Sequence, residues 1–260
     1  MDHFPIVRLG NKQRDIKYFK QYLPKNIKTM AEPFAGSFAV MRNCYADCQN
    51  LYCGENDEEY LQMLKNRFEH VEEYQKFIKN MTEFVKPRTE REKNRTINRK
   101  KHAEELKKWI EENAQGLKFD FEELSVRGFL RCPAWSFDYS KLAEMFKRIT
   151  WLNDYKLVFE MLKNDGEAFL YLDPPYLQSN NKQYTGAEHK DKARKYIDNT
   201  GLYIDILELF KVAKCKILMT INKNAINEYL FKPWIVGQYS KLYALSQCRE
   251  DILLVANYEH

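Results

Sequence analysis

The chain contains no apolar run near the roughly 18 residues that a membrane span requires. Its first residues, MDHFPIVRLGNKQRDIKYF, lack the apolar core of a secretion signal. A cytoplasmic protein without membrane association is the expectation. There is no CxxC pair either. Cys44, Cys48, Cys53, Cys132, Cys215 and Cys248 are scattered, with no histidine at ligand spacing beside them. This argues against structural zinc and for free thiols in a reducing compartment, and no metal site is expected. Internal repeats and low-complexity tracts are also missing. What remains is 260 residues, 44% hydrophobic and 30% charged. That is enough chain to bury a real core, as one large α/β domain or one domain with a second unit inserted.

Strand-like runs recur at residues 27–34, 50–55, 168–173, 214–221, 234–243 and 251–257. Helical patterns lie at 12–22, 37–46, 57–71, 102–113 and 196–212. In the pattern at 102–113, Ala103, Leu106, Trp109 and Ile110 form an apolar stripe, with Gly116 placed to end the helix. Strands alternating with helices predict a mostly parallel sheet covered on both faces. The last two strands, joined by ALSQCRE, predict a hairpin that closes one sheet edge. The interval from about residue 57 to 149 is helical, basic and nearly strandless. It reads as an inserted unit, leaving 1–56 and 150–260 as the main domain.

Charge is unevenly placed. The net is +5, yet Lys86–Lys108 alone holds ten Lys/Arg against four Glu, a net of +6. The rest of the chain is therefore near neutral. Such a run is either a solvated helix face or a surface that contacts nucleic-acid phosphates, with Arg95, Arg99, Lys100 and Lys101 at its centre.

Three short stretches carry chemistry. In AEPFAGSFAV (Ala31–Val40) a strand ends and a small-residue turn leads into a helix. Gly36 lets the backbone pass close to a ligand, and the helix start offers free N–H groups. In LYCGEND (Leu51–Asp57) an acid, Glu55, ends the next strand. It is placed to accept hydrogen bonds from the two ribose hydroxyls of a nucleoside cofactor, while Asn56 or Asp57 could serve as a helix cap instead. In FLYLDPPY (Phe169–Tyr176) a core strand runs into two prolines, which fix φ and donate no hydrogen bond, so the strand stops rigidly. Asp173 and the Pro174 carbonyl can accept the two hydrogens of one exocyclic amine. Pro175 stiffens that carbonyl, and Tyr176 offers a stacking face for a flat base.

In this order the three stretches resemble the Dam-like, or D12, class of S-adenosylmethionine-dependent DNA adenine-N6 methyltransferases. RLGNK (Arg8–Lys12) looks like that family's amino-terminal motif, and LNDYKLVFEML resembles the segment whose acid contacts the cofactor adenine, here Asp154. ILMTINKN and EDILLVANY are similar to its closing strands. The resemblance implies an α/β, Rossmann-like methyltransferase fold, a mostly parallel sheet with an antiparallel edge strand. It implies a helical target-recognition unit inserted at 57–149. It also implies that Arg8, Lys12, Glu32, Pro33, Phe34, Gly36, Ser37, Glu55, Asp154 and Asp173 hold S-adenosylmethionine. Asp173, Pro174, Pro175 and Tyr176 would then act on an adenine flipped out of double-stranded DNA. Lys182, in the polar loop at 178–195, would join the basic insert in contacting the strand. Three positions depart from the family pattern: Phe38 stands where a second glycine is usual, Glu55 where Asp is more frequent, and Arg8 where an aromatic is frequent. RNA adenine methylation, nucleic-acid binding around a decayed cofactor site, and protein amide methylation are the rival readings. Neither the target sequence nor a restriction partner is legible.

Overall fold

The computed structural model describes residues 12–92, 99–118, 139–180, 196–242 and 249–259. The chain divides into two compact units, one taking in Asp57–Lys147 and the other Leu9–Asn56 with Arg148–His260.

The second unit is built on a seven-stranded sheet in the order β3-β2-β1-β4-β7-β9-β8. Its strands are β1 (Thr29–Glu32), β2 (Asn50–Gly54), β3 (Ile149–Leu152), β4 (Ala168–Leu172), β7 (Lys216–Asn222), β8 (Ile235–Leu242) and β9 (Arg249–Ala256). β3, β2, β1, β4 and β7 pair in parallel. β9 runs antiparallel between β7 and β8, so the expected hairpin forms at this edge with β8 outermost. The order reverses between β1 and β4, because the chain winds outward through β2 and β3 on one side and through β4 and β7 on the other. In an open α/β sheet the crevice at such a reversal is where ligands bind.

Both faces of the sheet are buried, which is why its central strands are continuous apolar runs and not alternating ones. On one face Ala31, Leu170, Leu172, Ile217, Met219, Ile221, Leu253 and Val255 pack under three helices. These are α7 (Tyr155–Leu162), α8 (Thr200–Val212) and α9 (Ala225–Phe231), which contribute Phe159, Tyr203, Ile206, Phe210 and Phe231. On the other face, Phe19 of α1 (Ile16–Phe19) stacks on Tyr171 at 5.4 Å. Tyr45, which follows α2 (Ala39–Cys44), lies against Phe169 at 5.3 Å. The result is an α/β, mostly parallel, Rossmann-like fold.

Several elements differ from the sequence reading. β3 is only four residues, ITWL, too short to register as a period-two run. The expected helix at 196–212 starts instead at Thr200. Tyr196–Asp198 forms β6 and pairs antiparallel with β5 (Gln178–Asn180), where the sequence suggested only a loop. Asp198 ends β6 by accepting hydrogen bonds from the Thr200 N–H at 2.9 Å and its hydroxyl at 2.5 Å. α7 and α9 carried no clear period of their own.

The regular elements among the first unit's described residues are all helices: α3 (Glu58–Glu69), α4 (Val71–Glu92), α5 (Arg99–Asn113) and α6 (Tyr139–Arg148), the last ending one residue into the other unit. Trp109 of α5 packs against Phe77 and Phe84 of α4, at 5.3 and 5.1 Å. Leu106 and Ile110 of the same stripe are buried. Phe68 and Phe146 tie α3 to α6 at 4.5 Å. The basic run covers the end of α4 and the start of α5. Lys107 and Lys108 meet Glu111 and Glu112 one turn on, at 3.9 and 3.7 Å.

Candidate active site

Parallel pairing of β1 with β4 sets the two most informative stretches side by side, Ala31 in register with Leu170. Beyond β4, Pro174 is buried, and Asp173, Pro175 and Tyr176 are half-buried. The Tyr176 carbonyl accepts a hydrogen bond from the Asn199 side chain at 2.7 Å. Asn199 occupies the cap position of α8, yet its side chain makes no capping bond there and is spent on Tyr176. Asn199 carried no signal in the sequence.

Asp173 is ion-paired with Lys12, Nζ to Oδ1 at 2.7 Å, with the two side chains 21% and 8% exposed. Burial raises the Asp173 carboxyl above its ordinary value, and Lys12, by charge and hydrogen bond, together with Lys241 opposes that rise. The lysine of RLGNK is thus brought onto the acid of LDPPY. Arg8 lies outside the described residues.

Beyond β1, Gly36 has φ +48°, the left-handed region that favours glycine, and among the described residues no atom lies within 4 Å of where a Cβ would point. A turn without a side chain there suits close approach of a ligand to the backbone. Pro33 and Ser37 are buried, and Phe34 lies against Tyr155 at 5.3 Å. Glu32 points into the protein. It accepts the Met41 N–H at 2.5 Å and so seats α2. Burial pushes its carboxyl up to about 8, against the hydrogen bond from Met41 and the charge of Arg42.

A carboxyl held above its ordinary value of 4.5 keeps its proton in the folded state. Its contribution to stability is then fully present below the unfolded value and is lost as pH rises toward about 8. Glu32→Gln keeps an acceptor for Met41 without the titration. Its melting temperature should fall less than the native protein's between about pH 5 and about pH 8. Equal pH slopes for the two proteins would show that Glu32 is ionised throughout.

β2 delivers Glu55, which is buried and whose N–H donates to the Leu152 carbonyl of β3 at 2.9 Å. The capping alternative is met by Asp57, which accepts from the Tyr60 N–H at 3.0 Å. Asp154, just past β3, is exposed and caps α7 through the Lys156 N–H at 2.8 Å. Gly36, Glu55 and Asp154 therefore follow the carboxyl ends of three adjacent parallel strands. Gly54 is a residue the sequence reading passed over. A Cβ on it would lie 2.2 Å from the Pro33 carbonyl oxygen, so only glycine lets β2 pass β1 here.

Phe38 starts α2 with φ 40° and ψ 45°, fully buried and edge-on to Trp151 at 6.0 Å. The backbone there has the left-handed form a glycine would adopt freely, and the ring compensates by packing. Truncating a buried Phe costs about 3–5 kcal/mol, and left-handed strain on a residue with a Cβ costs about 1–2 kcal/mol. Phe38→Gly should therefore lose about 1–4 kcal/mol. Phe38→Ala, which keeps the strain, should be less stable still, reversing the usual preference for Ala over Gly. Denaturant titration of the two variants decides it.

Of the nucleic-acid candidates, Arg95 and Lys182 lie outside the described residues. Arg99, Lys100 and Lys101 open α5, and only their backbone is described.

Residues 9–121 match the family model of the D12 class N6 adenine-specific DNA methyltransferase. The match takes in Lys12, the Gly36 turn and Glu55 and ends ahead of Asp173. It supports adenine methylation in DNA as the class of activity. No curated protein matches the chain.

Proposed function

We propose that this chain transfers a methyl group from S-adenosylmethionine to N6 of an adenine flipped out of double-stranded DNA. The observation that carries the reading is the placement of the Gly36 turn and the Asp173–Tyr176 corner beyond neighbouring strands β1 and β4, where the sheet order reverses.

The residues present suit the cofactor. Gly36 puts no side chain in the way of the cofactor, Glu55 is positioned to accept from the ribose hydroxyls, and Asp154 stands beyond the next strand to meet the adenine. When bound, S-adenosylmethionine supplies a methyl group on a positive sulfur, an electrophile that needs no further activation. The protein's work is positioning. Asp173 accepts one hydrogen of the substrate amine and the Pro174 carbonyl accepts the other, which aims the nitrogen lone pair. Pro175 keeps that carbonyl fixed, and the Tyr176 ring stacks on the flipped base. Lys12 holds the Asp173 carboxylate as an acceptor, against the burial that favours its proton. The same two acceptors would hold an adenine of RNA, and the family match is what favours DNA.

The test is incubation of the purified chain with methyl-labelled S-adenosylmethionine and, separately, duplex DNA and RNA. Label recovered as N6-methyladenine in duplex DNA supports the reading. Label found only in RNA, or none at all, overturns it.

The unit at Asp57–Lys147 is read as the DNA-recognising part, on the strength of its basic run. Changing Arg99, Lys100 and Lys101 together to Ala should weaken DNA binding at low salt. Each lost phosphate contact should flatten the slope of log affinity against log salt by roughly 0.9. Cofactor affinity should not change. A salt titration giving superimposed lines would make these charges a solvated face only.

A further inference from the structure

Asp15 and Lys241 make a second ion pair beside the first. Residues Lys12–Arg14 form a single 3-10 turn, closed by the Asp15 N–H donating to the Lys12 carbonyl at 2.8 Å. Asp15 stands at the cap position of α1, where an aspartate ordinarily accepts from the helix's own N–H groups, yet its side chain makes no such bond. Its Oδ2 accepts instead from Lys241 Nζ of β8 at 2.6 Å, with the Tyr239 hydroxyl at 3.4 Å. The side chains of Asp15 and Lys241 are 4% and 17% exposed. Tyr239 in turn stacks on Tyr18 at 4.8 Å, so β8 grips the start of the described chain by charge and by ring together. Burying two charges is costly in desolvation and a weak source of stability. A pair placed there, at the expense of a helix cap, has to be explained by what it orients.

We propose that Asp15 and Lys241 are positioning residues for the amine-holding carboxylate: their ion pair locks the turn that carries Lys12 and thereby seats the Lys12 ammonium on Asp173. Each anion then has a cation beside it, Asp173 with Lys12 and Asp15 with Lys241. The inference rests on the reading of Asp173 as acceptor of the substrate amine. It extends that reading to two residues that touch neither substrate nor cofactor in it.

Among the described residues, the charges that act on Asp173 are Lys12 and Asp15 from the turn and Lys241 from β8. Asp173 in turn acts on Glu32 from β1, Tyr171 from its own strand and Tyr203 from α8. Positioning and a bare field predict opposite shifts of the Asp173 titration. As a field alone, Asp15 raises the Asp173 titration, so its loss would lower it. As an anchor, its loss frees Lys12, the stronger opposing influence, and the titration rises.

The experiment follows the Asp173 carboxyl by carbon-13 NMR in the full chain, without DNA or cofactor. Its signal is assigned by absence in Asp173→Asn, and nitrogen-15 detection follows Lys12 Nζ in the same samples. In the native protein the Lys12 signal tracks the Asp173 titration. In Asp15→Asn the Asp173 titration should move up, the Lys12 signal should cease to track it, and kcat should fall roughly 10- to 100-fold with KM for DNA little changed. Lys241→Arg should restore native behaviour relative to Lys241→Met. A titration that moves down or stays put in Asp15→Asn overturns the inference. Should that variant not fold, Lys241→Met decides, with tracking retained as the overturning result. Because the Asp173 titration and the Lys12 signal need no turnover, they fail separately from the active-site reading, which fails if Asp173→Asn stays active.

Discussion

Asp173→Asn is expected to lower methyl transfer by about 10²–10³-fold or more while the protein stays folded, the usual cost of losing one preorganised group at a polar reaction centre. The side chain follows β4 directly and is held by Lys12 at 2.7 Å. Asn keeps the size and one acceptor oxygen toward Lys12 but loses the charge that draws on the substrate amine. Asp173→Ala is the poorer test. It leaves the Lys12 ammonium, only 8% exposed, without its partner, and removing one member of a buried pair costs about 3 kcal/mol or more. A carboxylate just past a strand end contributes little packing of its own; the ion pair is what makes its removal costly. Turnover and melting temperature measured together on both variants separate chemistry from folding. Near-native turnover in Asp173→Asn would sink the assigned roles of Asp173 and Pro174.

What could be read in advance was whatever the chain states locally. Phe169–Leu172 announces a buried strand, and the two prolines after Asp173 announce where it ends. Gly36 sits in a turn that needs a positive φ, and the glycine usual in the family at position 38 corresponds to a left-handed backbone that Phe38 adopts here. Trp109 and Ile110 gave α5 away by their spacing. Illegible were the short or weakly periodic elements, β3 above all, whose four residues draw their stability from pairing with β2 and not from any pattern of their own. Illegible too were the partnerships. Lys241 meets Asp15 across 226 residues of chain, and nothing in either neighbourhood names the other. The same holds for Asn199, whose residue type suggests a helix cap and whose side chain instead holds the Tyr176 carbonyl.

Gly54→Ala should be the most damaging single methyl in the sheet unit. Gly54 ends β2 beside β1, and its own carbonyl accepts the Ala35 N–H at 3.0 Å, which fixes the turn that contains Gly36. A Cβ would sit 2.2 Å from the Pro33 oxygen and 2.9 Å from its carbonyl carbon. Both are backbone atoms, so no side chain can swing aside, and relief requires the ends of β1 and β2 to part. Overpacking of this kind costs about 1–3 kcal/mol, occasionally more. The displacement would also reach Glu55, the next residue, and Gly36, joined through that hydrogen bond. S-adenosylmethionine affinity should therefore drop even in the fraction that folds, by about 1–3 kcal/mol if the Glu55 hydrogen bonds are lost. Calorimetric binding and thermal melting on the same preparation check both halves. Gly166 provides the control: among the described residues nothing lies within 4 Å of where its Cβ would be, so Gly166→Ala should leave stability and cofactor binding close to native. If Gly54→Ala behaves like Gly166→Ala, β1 and β2 are not packed as tightly as their backbone atoms indicate, and the link from Pro33 through Gly54 to Glu55 does not hold.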